Sequence, residues 1–77
     1  EVDLRGMDSV EAICVMDRYL DEAMRSNLKQ VRIIHGKGTG VLRKAVHESL
    51  KRNKYVKKYR LGVYGEGEDG VTIAEFE

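Results

Sequence analysis

Asp3 and Arg5 flank Leu4 near the start of the chain, and about thirty residues later runs His35-Gly36-Lys37-Gly38-Thr39-Gly40. These residue types are the ones that hydrolysis of a phosphodiester needs. A carboxylate such as Asp3 can orient or deprotonate water, or hold a metal that does so. Arg5, Lys37 and free backbone N–H groups can bind the oxygens of a pentacoordinate phosphorus. His35 can act as acid or base, because an imidazole titrates near neutral pH. Alternating glycines let a backbone approach a ligand closely and turn N–H groups toward it. The same residues also have structural uses: Asp3 and Arg5 as an ion pair, His35 as a partner for a carbonyl at a strand end. Convergence on one edge is what favours function over these.

The elements must supply that convergence. Val2-Asp3-Leu4 alternates and Gly6 ends it, which predicts a strand over residues 1–5. Asp8 as N-cap, with Glu11 three residues on, opens a helix that runs to Arg25. Its core-facing stripe is Ile13, Met16, Leu20, Ala23 and Met24, with Cys14 on the margin. Val31 to Ile34 predicts a second strand. A second helix follows over Val41–Arg52, with Leu42, Ala45, Val46 and Ser49 inward and His47 on the outer, solvated face. Tyr55 to Val63 predicts a third strand, with Tyr55, Tyr59, Leu61 and Val63 on one face, and Val71 to Phe76 a fourth, antiparallel to it. The order βαβαββ is an α/β (α+β) sandwich with a four-stranded mixed sheet and two helices. A right-handed βαβ unit makes the first two strands parallel. Asp3, Arg5 and the His35–Gly40 loop then meet at one sheet edge, where both helices also present their N-termini, a setting that favours phosphate.

Neither glycine loop is a nucleotide loop. Gly36-Lys37 is followed by Gly38, which fails the Walker A pattern, and the spacing G-x-G-x-G fails the dinucleotide fingerprint. Gly65 to Gly70 does match G-x-G-x-x-G. It precedes a strand rather than a helix and carries three acids, so it reads as a turn.

Charge supplies the expected partner. Residues 1–24 carry −5, residues 25–60 carry +11 and residues 61–77 carry −5, giving a net +1 over 77 residues. The basic block fits a polyanion unless the acidic flanks fold over it. Arg43, Lys44, Lys51 and Arg52 are spread around the second helix and offer sequence-independent phosphate contacts. Tyr55 and Tyr59 interleave with lysines, but alternation turns Tyr59 toward the core. A chain this short forms one domain and has no deep internal pocket. One cysteine cannot form an internal disulfide, zinc-ligand spacing is absent, and neither a signal pattern nor a membrane-length apolar run occurs. The expectation is a cytoplasmic protein, no membrane partner and no tightly held metal. The chain starts at Glu1, which predicts a fragment of something longer.

Asp3-Leu4-Arg5-Gly6, His35-Gly36-Lys37-Gly38-Thr39-Gly40 and Gly70-Val71-Thr72-Ile73 together resemble the Smr (small MutS-related) domain over nearly the whole chain. Arg5 and the Val31–Gly40 run are most similar to the C-terminal Smr domain of bacterial type-two MutS proteins. The resemblance implies a fold similar to the C-terminal domain of bacterial translation initiation factor three, within a larger, homodimeric ATPase. It implies a nucleic-acid-binding domain that nicks DNA with little sequence specificity and is linked to suppression of recombination. The alternative is a non-catalytic nucleic-acid- or ribosome-binding module that seats the ATPase on branched DNA or on ribosomal RNA, acting in rescue of collided ribosomes. RNA-cutting relatives have His where Arg5 stands. The family's motif residues carry over onto Asp3, Arg5, His35, Gly36 and Gly38; with the residue chemistry above, the expected catalytic residues are Asp3, Arg5 and His35, and the expected nucleic-acid-binding residues are Gly36, Lys37, Gly38, Thr39, Gly40, Arg43 and Lys44. The cofactor open to this reading is a weakly held divalent metal.

Overall fold

Alternating apolar strands and amphipathic helices must hide one face of each against the other. The computed structural model, which describes residues 1–65 and 68–76, does so with both helices packed on one face of a single sheet. The elements are β1 (Val2–Asp3), α1 (Ser9–Arg25), β2 (Gln30–Ile34), α2 (Val41–Arg52), β3 (Val56–Leu61), a 3₁₀ turn (Glu68–Gly70) and β4 (Val71–Phe76). The sheet order is β1-β2-β4-β3. β1 and β2 are parallel, and β4 runs antiparallel to both of its neighbours.

Local chemistry sets the element ends. Asp8 Oδ1 accepts from the Glu11 N–H at 2.9 Å and caps α1, and Asn27, at φ 62°, turns the chain out of it. The buried stripe of α1 is Ala12, Met16, Leu20 and Ala23. Ile13 and Met24 lie at its edge, and Cys14 is exposed rather than on the core margin. From α2 the core takes Val46 and Leu50, and from the sheet Val31, Ile33 and Ala74.

Two strands are shorter than the sequence predicts. β1 ends at Asp3, although the Leu4 N–H still reaches Ile34 O at 2.7 Å. β3 loses both ends and carries a register irregularity between Val56 and Lys58. Tyr55 and Val63 therefore fall outside the strand and are exposed, while Tyr59 and Leu61 stay half-buried. Part of the Gly65–Gly70 loop, residues 66 and 67, lies outside the described residues, as does Glu77.

Register assigns the faces. Val31, Ala74 and Tyr59 are mutual partners, as are Ile33, Thr72 and Leu61, and these rows face the helices. Arg32, Ile73 and Arg60 form a row on the other, helix-free face. Asp3 is in register with Ile34, so it also points to the helix-free face.

Candidate functional site

Three segments meet where β1 and β2 end. The first is anchored by Leu4, whose side chain is fully buried between exposed Asp3 and Arg5. Asp3 holds the Arg5 guanidinium with both oxygens. Oδ1 accepts from the backbone N–H and from Nε, both at 3.0 Å, and Oδ2 accepts from an Nη at 2.7 Å and from Nε at 3.2 Å. Those side-chain hydrogen bonds, then the backbone one, bring the Asp3 carboxyl down to about 2. A carboxylate so occupied is a weak base and a good clamp.

The second segment is the glycine loop after β2. Gly36 has φ 82°, and a Cβ there would come within 3.3 Å of Arg5 Cγ. Glycine thus lets the Arg5 stem lie against the loop. Gly40 sits at φ 87° as the N-cap of α2, and no side chain caps the helix from that position. The Val41 N–H has the Thr39 hydroxyl oxygen at 3.5 Å, and the N-terminus of α2 borders a groove of about 650 Å³ lined by Arg5, His35, Lys37 and Arg43 among others. The third segment is the turn before β4. Gly70 O accepts from the N–H groups of both His35 and Gly36, at 3.1 and 2.9 Å. A Cβ on Gly70 would meet Lys37 Cγ at 3.2 Å. Lys37 Nζ reaches Glu68 at 3.2 Å and Asp69 at 3.5 Å, and the Glu68 hydrogen bond raises its pKa.

Beneath this edge the imidazoles form one chain with Thr72. His35, 4% exposed, places Nδ1 3.0 Å from Gly36 O and Nε2 2.8 Å from Thr72 Oγ1. His47 Nε2 lies 2.7 Å from the same Oγ1. A carbonyl only accepts, so Nδ1 of His35 carries the hydrogen. In a neutral His35, Nε2 then accepts from the Thr72 hydroxyl. Having spent its only hydrogen there, that hydroxyl must accept from His47 Nε2–H. Donation runs His47 to Thr72 to His35 to Gly36 O. Burial lowers both imidazole pKa values, and Arg43 lowers them further, which suits the neutral forms.

The Smr domain family model matches residues 2–77. The chain belongs to the Smr domain family. Over 77 residues it is 60% identical to Endonuclease MutS2 of Clostridium tetani, covering all of this chain and 10% of that protein. Over 76 residues it is 62% identical to Endonuclease MutS2 of Clostridium novyi, covering 99% and 10%. The chain thus spans about a tenth of the length of these curated relatives. The crystal structure of the Smr domain of Thermus thermophilus MutS2 superposes with a TM-score of 0.95 at 43% identity, over 97% of this chain and 94% of that one. YdaL, a stand-alone small MutS-related protein from Escherichia coli, gives 0.89 at 20% identity over 100% and 68%, a likeness of fold.

The Smr domain gathers Arg5, His35, Gly36, Lys37, Gly38, Thr39, Gly40 and Arg43 around one groove. Asp3 stands at the same edge, but its side chain is on the opposite sheet face from that of His35 and Thr72. Lys44 lines the neighbouring groove along α2. His47 differs from expectation: it is half-buried against Tyr59, with ring centroids 5.1 Å apart, instead of solvated on the outer face. The helix margin it occupies, about 100° round from Val46, lies over β3 and β4. Thr72 and the acids of the 3₁₀ turn also belong to the site, and sequence reasoning gave them no role. The available signal was Thr72 inside the Gly70-Val71-Thr72-Ile73 motif.

Proposed function

We propose that this Smr domain grips a DNA backbone at the Arg5–glycine-loop edge and nicks it by hydrolysis, with little sequence preference. One observation carries the reading: a guanidinium locked by a carboxylate, lying over a glycine loop that leads into a helix N-terminus whose N-cap, Gly40, has no side chain to offer it. Such a fork is prepaid in orientation and meets phosphate oxygens without further ordering. The relatives' name, Endonuclease MutS2, supports the same reaction.

In this reading water adds to phosphorus as a sugar oxygen departs. One proton leaves the water and one joins the departing oxygen. Arg5 and the α2 N–H groups take the charge on the non-bridging oxygens, and Lys37 joins them by leaving Glu68 and Asp69. Asp3 is a positioning residue for Arg5. With both oxygens on Arg5 it is poorly disposed to ligate a divalent metal. His35 braces the glycine loop, and exchanges protons by way of Thr72 or by releasing Gly36 O.

A second reading is binding without cleavage, on DNA or ribosomal RNA. It is favoured by the full engagement of Asp3 and of both His35 nitrogens. The ATPase, the homodimer and the cytoplasmic setting belong to the larger protein that either reading assumes. Incubation with supercoiled plasmid, with and without chelator, separates the two. Nicking predicts open circles that diminish in Asp3→Ala and His35→Ala. Tight, salt-sensitive binding without open circles leaves the second reading.

A further inference from the structure

A second groove, of about 610 Å³, lies between α2 and β3 and shares Thr39, Gly40 and Arg43 with the first. Its wall carries Lys44 and Lys51, and His47 and Tyr59 line it as well. Arg43, His47 and Lys51 recur every fourth residue, so they form one stripe along α2. The stripe rises about 12 Å, close to the rise of three or four nucleotides in one strand. Among the described residues no acid is paired with Arg43, Lys44 or Lys51, and the groove's single acid, Glu48, is drawn to Arg52 at 3.9 Å.

His47 adds chemistry to that charge. Its Nε2 is spoken for by Thr72, and among the described residues its Nδ1 has no hydrogen-bond partner. Because Thr72 fixes the Nε2–H tautomer, neutral His47 keeps a bare Nδ1 lone pair. Taking up a proton at Nδ1 turns this atom into a charged donor and leaves the Thr72 bond unbroken. The groups around the ring are Arg43, Lys44, Glu48 and Lys51 on α2, His35 at 6.1 Å between centroids, Tyr59 on β3 and Thr72 on β4, with Asp69 beyond His35. Burial opposes protonation in the free protein, and so do His35 and Arg43. A phosphate in the groove reverses that balance.

We infer that the α2–β3 groove is a second nucleic-acid backbone site, where Arg43, Lys44 and Lys51 bind phosphates and His47 contributes a contact that strengthens on protonation. The inference rests on the nucleic-acid reading above but not on cleavage. The strand that enters here continues past Arg43 and Gly40 to the Arg5 edge, since the two grooves adjoin there.

The test is binding of oligo-dT and oligo-U, whose bases do not titrate in the relevant range, by the 77-residue chain. It is followed by fluorescence anisotropy between about pH 7.5 and pH 5.5. The wild-type affinity should rise toward low pH by up to about tenfold, the limit set by a one-unit shift of one group. His47→Gln, whose amide can still donate to Thr72, should hold that change below about twofold. Lys51→Ala, on the exposed helix surface, should weaken binding at every pH and lower the slope of log affinity against log salt by about 0.7. NMR titration of the two imidazoles needs no variant: His47 should titrate higher with oligo-dT present, and His35 should move less. Equal effects with oligo-dT and oligo-U support a backbone contact. An effect confined to one of them overturns it, and so does a wild-type pH response in His47→Gln alongside an unchanged salt slope in Lys51→Ala. If neither oligomer binds the wild type, the nucleic-acid reading itself fails.

Discussion

The cations of this Smr domain fall into two populations. At the sheet edge and on the helix-free face four are already paired: Arg5 with Asp3, Lys37 with Glu68 and Asp69, Arg32 with Glu1, Lys58 with Glu75. Along α2, Arg43, Lys44 and Lys51 have no acidic partner among the described residues. The acidic ends of the chain therefore do fold over part of the basic block, and they leave one helix flank bare. An exposed ion pair is worth about 0–1 kcal/mol, so its value at the edge lies in geometry. Asp3 aims Arg5, whereas the bare flank supplies attraction without aim. A polyanion meets the flank at no exchange cost and the edge only by displacing Glu68 and Asp69 from Lys37.

The strongest way to break this contrast is to remove the anchor of the edge. Leu4→Ala deletes a fully buried side chain and should cost about 2–5 kcal/mol in urea unfolding. In whatever fraction stays folded, it should loosen Arg5 more than the α2 flank. Thr72→Val comes next. It keeps the shape but leaves the Nε2 atoms of His35 and His47 without their shared partner, a loss of about 1–3 kcal/mol. Because Thr72 links the two regions, this variant should perturb the ring resonances of both histidines.

Acid should act on the two regions in sequence. His35 and His47 titrate lower folded than their ordinary 6.5, so the unfolded chain binds more protons. Stability should hold above pH 6.5, fall as pH drops through that value, and level off below the folded pKa values. His47→Gln should remove part of that decline in chemical denaturation. Asp3 is the opposite kind of group, lowered from 3.8 to about 2. Its stabilising contribution is present above 3.8 and is lost as pH falls through about 2, so the Arg5 clamp outlasts the histidine chain on acidification. The smallest expected effect comes from Glu68→Gln with Asp69→Asn. Freeing Lys37 should tighten oligonucleotide binding by about two- to fivefold, in line with exposed pairs. No change would show that the edge cations are not held back by their acids.

Much of this was legible in the chain itself. Helix stripes, the Asp8 cap and the parallel first two strands are enough to place Arg5 and His35–Gly40 at one edge. What stayed hidden depends on strand order. With β4 inserted between β2 and β3, Thr72 comes level with Ile33 and Leu61, and only then can one hydroxyl reach His35 and His47 together. Helical periodicity put His47 on the outer, solvated face of α2 and could not say that β3 and β4 lay under that margin. Alternation likewise overran β3, because the irregularity near Val56 is set by pairing with β4. The Gly65–Gly70 acids looked like a solvated turn until the fold brought Glu68 and Asp69 to Lys37.

The most direct test of the division between aim and attraction is plasmid nicking by Arg5→Ala at protein concentrations that saturate binding. Open-circle formation should fall about a hundredfold, as for loss of one pre-aimed donor to a transition-state oxyanion. Affinity, spread over the glycine loop and the α2 cations, should stay within about twofold for loss of one exposed paired cation. Unchanged nicking in Arg5→Ala, or a collapse of binding with it, would contradict the account.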